Sequence, residues 1–303
     1  ELEPDMQLLF ALALVAIVLC APVHDRRRIA MINADPELSW TAGVSSKFSA
    51  TSIEDMRATL LQDYDSDRPR TFPHALDLGM TADDNIPDYF DSNETWPGMI
   101  GAIRDQGGCG SCWAFSAAEA LSDRFSIQTG ELLTLSPQYL VSCDYSNNGC
   151  GGGNLDLVWR YMKSHGTSED TCMTYVSGDY PACPDNCLEP DCPNVCEDGS
   201  DIKLYKAANV RDISRMQDMI KTEIMTNGPV QAAFTVYTDF PDYTGGVYQH
   251  KYGRREGGHA IKITGWGTDE ESGLDYWKVQ NSWGPDWGEA GFFRILRGSN
   301  ECG

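Results

Sequence analysis

The chain has 303 residues, which is long enough for one large or two ordinary domains with a sizeable apolar core. Its formal net charge of −22 at pH 7 argues against a nucleic-acid partner, because phosphate binding needs clustered lysine and arginine. A strongly negative net charge fits a protein of secretory or digestive compartments, but it does not identify the function.

The N-terminal part of the chain carries the pattern of a secretory signal. Residues 8–20 form an apolar run that is too short to span a bilayer and suits the apolar region of a signal peptide. Met6 fits a natural first residue, with residues 1–5 either foreign to the natural chain or a misplaced start. A buried core helix is the alternative, disfavoured by the charged residues that follow at once. No second long apolar run follows, so we expect no stable membrane anchor.

Two further segments differ in composition. Residues 21–84 contain no cysteine and end in an acidic stretch, which predicts a removable inhibitory pro-segment that acidification loosens by protonating its carboxylates. Residues 85–303 contain every cysteine beyond Cys20 and are predicted to form the mature domain. Asn93 begins the sequence Asn93-Glu94-Thr95, a candidate glycosylation site.

Apolar spacing predicts the elements of the mature domain. Helical spacing covers residues 111–127, 155–162 and 216–225, and glycine or proline follows the first and last of these runs. Short β-branched or aromatic runs predict strands over 230–237, 260–266, 276–280 and 291–296. A helical, cysteine-rich half followed by a β half predicts an α+β fold with two subdomains.

The strongest chemical signal is QGGCGSCWAFS, residues 106–116. Its CGSCW core is a nucleophile signature, in which Cys109 serves the structure and Cys112 attacks the substrate. Cys112 falls at the N-terminal end of the first predicted helix, where the helix dipole and free N–H groups favour the thiolate. The sequence therefore predicts nucleophilic catalysis by Cys112.

A thiolate nucleophile needs a base that holds its proton, which gives a thiolate–imidazolium pair. His259 is the best candidate among the three histidines after residue 85. It lies in GGHAI, residues 257–261, and follows Cys112 by 147 residues, within the spacing of about 130–150 typical of this signature. Asn281, in NSWG, is predicted to orient the imidazole, with Trp283 shielding their hydrogen bond from water. The Gln106 side chain and the Cys112 backbone N–H are predicted to bind the oxyanion.

These residues resemble the papain-like cysteine peptidases, most closely cathepsin B, over about residues 85–303. Further matching stretches are NGPV (227–230), AFTVY (233–237), GVYQH (246–250) and RILRG (294–298), with SWTAG (39–43) weaker. The resemblance implies the papain-like fold, with a helical left subdomain, a β-barrel right subdomain and the active-site cleft between them. It also implies protein and peptide substrates, inhibition by the chain's own pro-segment running through the cleft, and no cofactor or metal.

The resemblance extends to substrate-binding residues. It implies that Gly152 and Gly153 bind the substrate backbone, and that a pocket for the second residue before the cut is lined by Leu155, Ala233 and Ala260. Trp283 belongs to the same predicted substrate-binding set.

The resemblance also sorts the cysteines. It implies the pairs Cys109–Cys150, Cys143–Cys192, Cys172–Cys196 and Cys183–Cys187, with Cys112 and Cys302 unpaired. A zinc cluster formed by Cys183, Cys187, Cys192 and Cys196 is the alternative, which an oxidising compartment disfavours. Cys302 is expected to be exposed near the end of the chain.

Two departures from cathepsin B bear on specificity. Cathepsin B carries two adjacent histidines that bind a substrate's C-terminal carboxylate, whereas this chain has no histidine between His165 and His250. We therefore expect an endopeptidase, with a dipeptidyl-carboxypeptidase as one alternative and an inert binding protein of the same fold as another. The chain ends at Cys302-Gly303, before the residue at the bottom of the cathepsin B pocket, so the pocket is open or the sequence is incomplete. We also expect a monomer in the secretory pathway, lysosome-like or endosomal vesicles, or the extracellular space.

Overall fold

The computed structural model of the chain describes residues 21–62, 71–179, 189–213 and 215–303. The predicted signal peptide, residues 1–20, lies outside these ranges. Within them, no helix combines the length and the apolar character that crossing a membrane requires.

The α-helices fall before residue 230 in the described part of the chain. They are α1 (Arg26–Ala34), α2 (Ile53–Ala58), α3 (Ser92–Thr95), α4 (Cys112–Thr129), α5 (Pro137–Cys143), α6 (Leu155–Ser164) and α7 (Gln217–Asn227). The helix α4 is rich in alanine, a strong helix former, and ends where Gly130 adopts a left-handed conformation with φ 75°. The three helices predicted from apolar spacing correspond to α4, α6 and α7, which confirms those predictions.

The strands lie mostly after residue 229. They are β1 (Trp40–Ala42), β2 (Phe90–Asp91), β3 (Val230–Tyr237), β4 (Tyr243–Tyr248), β5 (Arg255–Thr268), β6 (Asp275–Gln280) and β7 (Phe292–Leu296). The four predicted strands are confirmed as β3, β5, β6 and β7, and β5 begins five residues earlier than predicted because Gly257 and Gly258 belong to it. The strand β4 was not predicted from the sequence, since two glycines interrupt its apolar pattern.

The strands form one sheet in the order β1-β4-β7-β6-β5-β2, with β3 pairing with β5 outside this path. Neighbouring strands are antiparallel except for the parallel pair β4 and β7. Because β5 pairs with β2, β3 and β6, it is the most enclosed strand, and almost all of its residues are buried. The strand that carries His259 is therefore held on a rigid part of the fold.

Two apolar cores correspond to the two predicted subdomains. One surrounds α4 and includes Trp113, Leu140 and Val158 from the helical half. The other fills the β half around Phe240 and Phe293. This arrangement confirms the α+β fold with a helical and a β subdomain.

The predicted pro-segment contributes to both cores. Its strand β1 extends the sheet by pairing with β4, and Trp40 is buried, with its Nε1–H donating to the Gln249 carbonyl at 3.0 Å. The Trp40 ring packs between Tyr243 and Tyr248, at centroid distances of 6.2 and 5.1 Å. Further along, Leu61 packs in the core around α4.

Candidate active site

Cys112 is the first residue of α4 and is fully buried. Its Sγ accepts a hydrogen bond from the Ala260 N–H, on β5, at 3.5 Å. Burial raises the pKa of the Cys112 thiol to about 12, although the backbone N–H groups of Ala260, Trp113 and Cys112 itself favour the thiolate. The covered thiol is therefore protonated at physiological pH.

His259 lies next to Ala260 on β5, and Asn281 fixes its tautomer. The Asn281 Oδ1 accepts the Ser282 N–H at 2.8 Å and lies 2.7 Å from His259 Nε2. Since that oxygen is an acceptor, His259 Nε2 carries the proton, and Nδ1 remains basic. No hydrogen-bond partner for His259 Nδ1 occurs in the described part of the chain.

Burial also lowers the pKa of His259 to about 4, although the hydrogen bond that its Nε2–H donates to Asn281 favours the protonated ring. Cys112 and His259 are thus both neutral in this covered state, whereas the sequence predicts a thiolate–imidazolium pair. The difference follows from desolvation, which disfavours both charged forms.

Trp283 covers the base, as predicted. Its ring centroid lies 4.8 Å from that of His259, and only 1% of the residue is exposed. On the pro-segment, Phe48 packs edge-on against Trp283 at a centroid distance of 4.9 Å. Water is therefore kept from the hydrogen bond between His259 and Asn281.

Gln106 is buried, and its side-chain amide makes three hydrogen bonds. Its Oε1 accepts the Ser282 hydroxyl at 2.7 Å, so its Nε2 is turned toward the backbone carbonyls of Cys109 and Thr59, each at 2.9 Å. Thr59 belongs to the pro-segment. A pro-segment carbonyl therefore occupies the donor that the sequence predicts for the oxyanion.

The pro-segment also pairs with the strand that carries the base. Leu61 and Gly258 exchange two backbone hydrogen bonds, each 2.8 Å long. A Cβ on Gly257 would lie 2.9 Å from the Leu60 Cβ, so this close approach requires glycine. The glycines before His259 thus create the space in which an extended chain lies.

The predicted substrate-binding residues divide into two groups. Gly152, Gly153, Leu155 and Ala233 line one cleft, into which Leu61 of the pro-segment also projects. The other two residues lie outside that lining, with Ala260 against the thiol and Trp283 over the base.

Three of the four predicted disulfides are confirmed: Cys109–Cys150, Cys143–Cys192 and Cys172–Cys196. The fourth predicted pair, Cys183–Cys187, lies outside the described residues. Because Cys192 and Cys196 are each oxidised, they cannot act as the thiolates of a zinc cluster. Cys302 is a free thiol but is half-buried against the β core, so the prediction of an exposed Cys302 is wrong.

The candidate glycosylation residue, Asn93, lies in the short helix α3 and is half-buried. Its side-chain amide lies 3.4 Å from the Asp91 carboxylate.

Two residues that orient the site were not identified from the sequence. Ser282 orients both Gln106 and Asn281, and its position inside NSWG was a signal that this motif holds more than one functional residue. The Tyr175 hydroxyl donates to the Gln106 carbonyl at 2.8 Å and lies 2.7 Å from Ser111 Oγ. No local pattern in the sequence distinguishes Tyr175 from other tyrosines.

Known proteins are similar to this chain in fold and in sequence. Residues 86–303 match the family model described as papain family cysteine protease. The chain is 44% identical over 267 residues to "Cathepsin B-like CP3" of Giardia intestinalis, covering 87% of this chain and 86% of the relative. It is 42% identical over 254 residues to "Cathepsin B-like cysteine proteinase 5" of Caenorhabditis elegans, covering 73% and 72%.

A solved structure extends the likeness to the precursor form. "proCathepsin B S9 from Trypanosoma congolense" is similar with a TM-score of 0.82 and 32% identity, over 93% of this chain and 96% of that chain. The chain therefore belongs to the papain family of cysteine proteases and is similar to its cathepsin B-like members.

Proposed function

We propose that the chain is a cysteine endopeptidase, made as an inactive precursor, that cuts peptide bonds with Cys112 as nucleophile and His259 as base. The observation that carries the proposal is the orientation of His259. Asn281 holds Nε2, so the basic Nδ1 is free for the thiol on the neighbouring helix. The Ala260 N–H on the thiol sulfur supports it, because Ala260 directly follows the base.

The chemistry follows from these positions. The Cys112 sulfur attacks the substrate carbonyl carbon while His259 Nδ1 takes the thiol proton. The carbonyl oxygen becomes negative and is bound by Gln106 Nε2–H and the Cys112 N–H. The C–N bond breaks as His259 returns the proton to the amine, leaving a thioester. A water molecule then attacks the thioester, His259 takes its proton, and the C–S bond breaks to release the acid and the thiol.

In this proposal residues 21–84 keep the precursor inactive. Thr59 occupies the oxyanion donor of Gln106, and Leu61 occupies the strand edge at Gly258. Removal of the segment exposes Cys112 and His259 to water, which lifts the desolvation that keeps both neutral. We place the cut near Asp84–Asn85, where both residues are exposed and beside which the family match begins, at residue 86.

Acid is the proposed trigger, because carboxylates on both sides hold the pro-segment. His24 and Arg28 of the pro-segment each lie 2.7 Å from Asp242 of the mature domain. In the other direction, Asp35 and Glu37 of the pro-segment lie 2.8 Å from the Tyr252 hydroxyl and the Lys251 ammonium. Protonating a carboxylate removes its charge, so low pH weakens this attachment.

Endopeptidase action is favoured by where the remaining histidines lie. His165 ends α6 and stacks on Tyr161, while His250 lies 3.1 Å from the Asp239 carboxylate and stacks on Tyr237. Neither is among the described residues that line the cleft. The disulfides fit the oxidising secretory pathway, with vesicles or the extracellular space as destination, and we expect a monomer.

Thiol labelling combined with cleavage-site profiling tests the proposal. The matured enzyme should react with an irreversible peptide epoxide and cut library peptides at internal bonds. Cys112→Ala should abolish both, whereas Cys302→Ala, which removes the other free thiol among the residues that the structure describes, should keep both. Equal labelling of wild type and Cys112→Ala would point to the inert binding protein, and cuts only two residues from the C-terminus would point to the dipeptidyl-carboxypeptidase.

A further inference from the structure

A buried polar cluster lies between the helix of the nucleophile and the strand of the base. Cys112, Glu119 and Asp123 are seven and four residues apart on α4, so they share one face of the helix. Ala260 and Lys262 are two residues apart on β5, so they share one face of the strand. The helix and the strand therefore meet at the thiol and again at these three charged residues.

The cluster holds two carboxylates and one ammonium. The Lys262 side chain is fully buried, and its Nζ lies 2.6 Å from Asp123 Oδ2 but 3.9 Å from Glu119 Oε2. The other Asp123 oxygen accepts the Gly101 N–H at 2.8 Å. Lys262 thus pairs closely with Asp123, and Glu119 lacks a close counter-charge.

Glu119 is the member of this cluster whose charge is least compensated. Its Oε1 has no hydrogen-bond partner among the residues that the structure describes, and only 6% of the residue is exposed. Burial raises the pKa of Glu119 to about 7, and Asp123 adds to the rise, while Lys262 and Arg104 oppose it. Arg104 is itself bound to Asp170 at 2.7 Å.

A second buried acceptor points to a proton at this place. Gln280 lies opposite Lys262 in the pairing of β5 with β6, and its Oε1 also lacks a partner in the described part of the chain. A protonated carboxyl is a hydrogen-bond donor, whereas an ionised one is only an acceptor. A proton on Glu119 both removes an uncompensated buried charge and supplies a donor to a region with spare acceptors.

We propose that Glu119 is a positioning residue that holds a proton between α4 and β5 and thereby keeps Cys112 in register with His259. With that proton in place, Lys262 pairs with Asp123 alone, and the charges of the three residues between α4 and β5 sum to zero. When the proton leaves, two carboxylates compete for one ammonium inside the protein, and the contact between helix and strand weakens. The effect on catalysis rests on the proposed function, whereas the effect on stability does not.

The stability effect has a definite sign. The folded chain holds this proton up to about pH 7, but an unfolded glutamate loses it near pH 4.5. The Glu119 contribution to stability therefore falls as pH rises through this window and is level above it. The lowered pKa of His259, about 4, acts in the opposite direction, because the unfolded histidine binds a proton below about pH 6.5 that the folded one excludes, and this contribution is the same in every variant. Between pH 5 and pH 8 the Cys112→Ala precursor, which has no nucleophile, should therefore lose about 5 °C more in Tm than Glu119→Gln in the same chain. The exposed Glu131→Gln should match the parent.

Asp123→Asn provides a second test with a different outcome. It keeps an oxygen for Gly101 but removes the competing charge, so Lys262 turns to Glu119 and the midpoint of the stability loss should move down by about one pH unit or more. Parallel Tm curves for the parent and both variants would overturn the proposal.

Catalysis supplies the readout that a purely structural role would not change. Between pH 6 and pH 8 the matured parent should lose about threefold or more in kcat with little change in KM, and matured Glu119→Gln should not. Identical pH profiles of kcat for the parent and Glu119→Gln would show that Glu119 does not position the catalytic pair.

Discussion

At the residue scale, the side-chain oxygen of Asn281 determines which ring nitrogen of His259 is basic. Asn281 Oδ1 accepts hydrogen bonds from the Ser282 backbone and from the His259 ring, and the first bond fixes the direction of the second. A neutral amide suits this position because it selects the tautomer without holding the proton. Ser282 links the same residue to Gln106, so the proposed base and the proposed oxyanion donor are oriented together.

Replacing Asn281 with alanine should lower kcat by about 10- to 100-fold, because a buried hydrogen bond to a ring that becomes charged is worth about 1.5–3 kcal/mol. KM should change little, since Asn281 is not among the described residues that line the cleft. Steady-state kinetics on the matured enzyme, normalised by titrating Cys112 with an irreversible inhibitor, measures both parameters. An unchanged kcat would show that Trp283 and the strand alone hold the ring.

At the element scale, the pro-segment behaves as part of the β subdomain. Its strand β1 completes one edge of the sheet, and its side chains enter the same core as those of the mature strands. The segment is thus held by ordinary sheet pairing and apolar packing far from the thiol, and the residues that cross the cleft depend on that attachment.

Trp40→Ala should therefore speed maturation. Removing a buried tryptophan costs about 3–5 kcal/mol of packing, and Trp40 also donates to Gln249. The precursor should mature faster at pH 4.5 and begin to mature at pH 7.5, as measured by the rate at which the mature band appears on gels. Val44→Ala is the matched control, because Val44 lies on the same segment but is 59% exposed. Equal rates for the two variants would show that β1 does not anchor the segment.

The helices, strands and site residues differ in how well the sequence predicts them. Helices α4, α6 and α7 carry apolar residues at helical spacing, whereas β4 contains two glycines that interrupt its apolar pattern. Cys112, His259, Asn281 and Gln106 each lie in a dense local motif. Glu119 and Lys262 lie far apart in sequence, and the sequence does not distinguish a buried charged residue from a solvated one. Thr59 acts through its backbone carbonyl, which no side-chain pattern reveals.

At the scale of the whole molecule, the precursor has two cores that both contain pro-segment residues, so covering the site and folding the chain are coupled. The covered site is electrically neutral because both reactive groups are desolvated. The proposed activation thus changes the dielectric surroundings of Cys112 and His259 as well as opening the cleft to substrate.

The reactivity of Cys112 should report this change. With a pKa of about 12, the precursor thiol should react slowly with iodoacetamide from pH 5 to pH 9, rising about tenfold per pH unit as the thiolate fraction grows. After removal of the segment the rate should be high and nearly level across the same range. Mass spectrometry of the Cys112 peptide measures the rate. A fast, level rate in the intact precursor would show that the charged pair is already present.

The burial of Cys112 has a further consequence, for redox chemistry. The disulfides form only where oxidants are present, and an exposed thiolate in such a place exchanges with disulfides or is oxidised to sulfenic and then irreversible acids. A protonated, covered sulfur does neither. In the proposed precursor, the stretch 58–62, which bonds to Gly258, therefore protects the Cys112 sulfur from oxidation as well as covering the strand that carries His259.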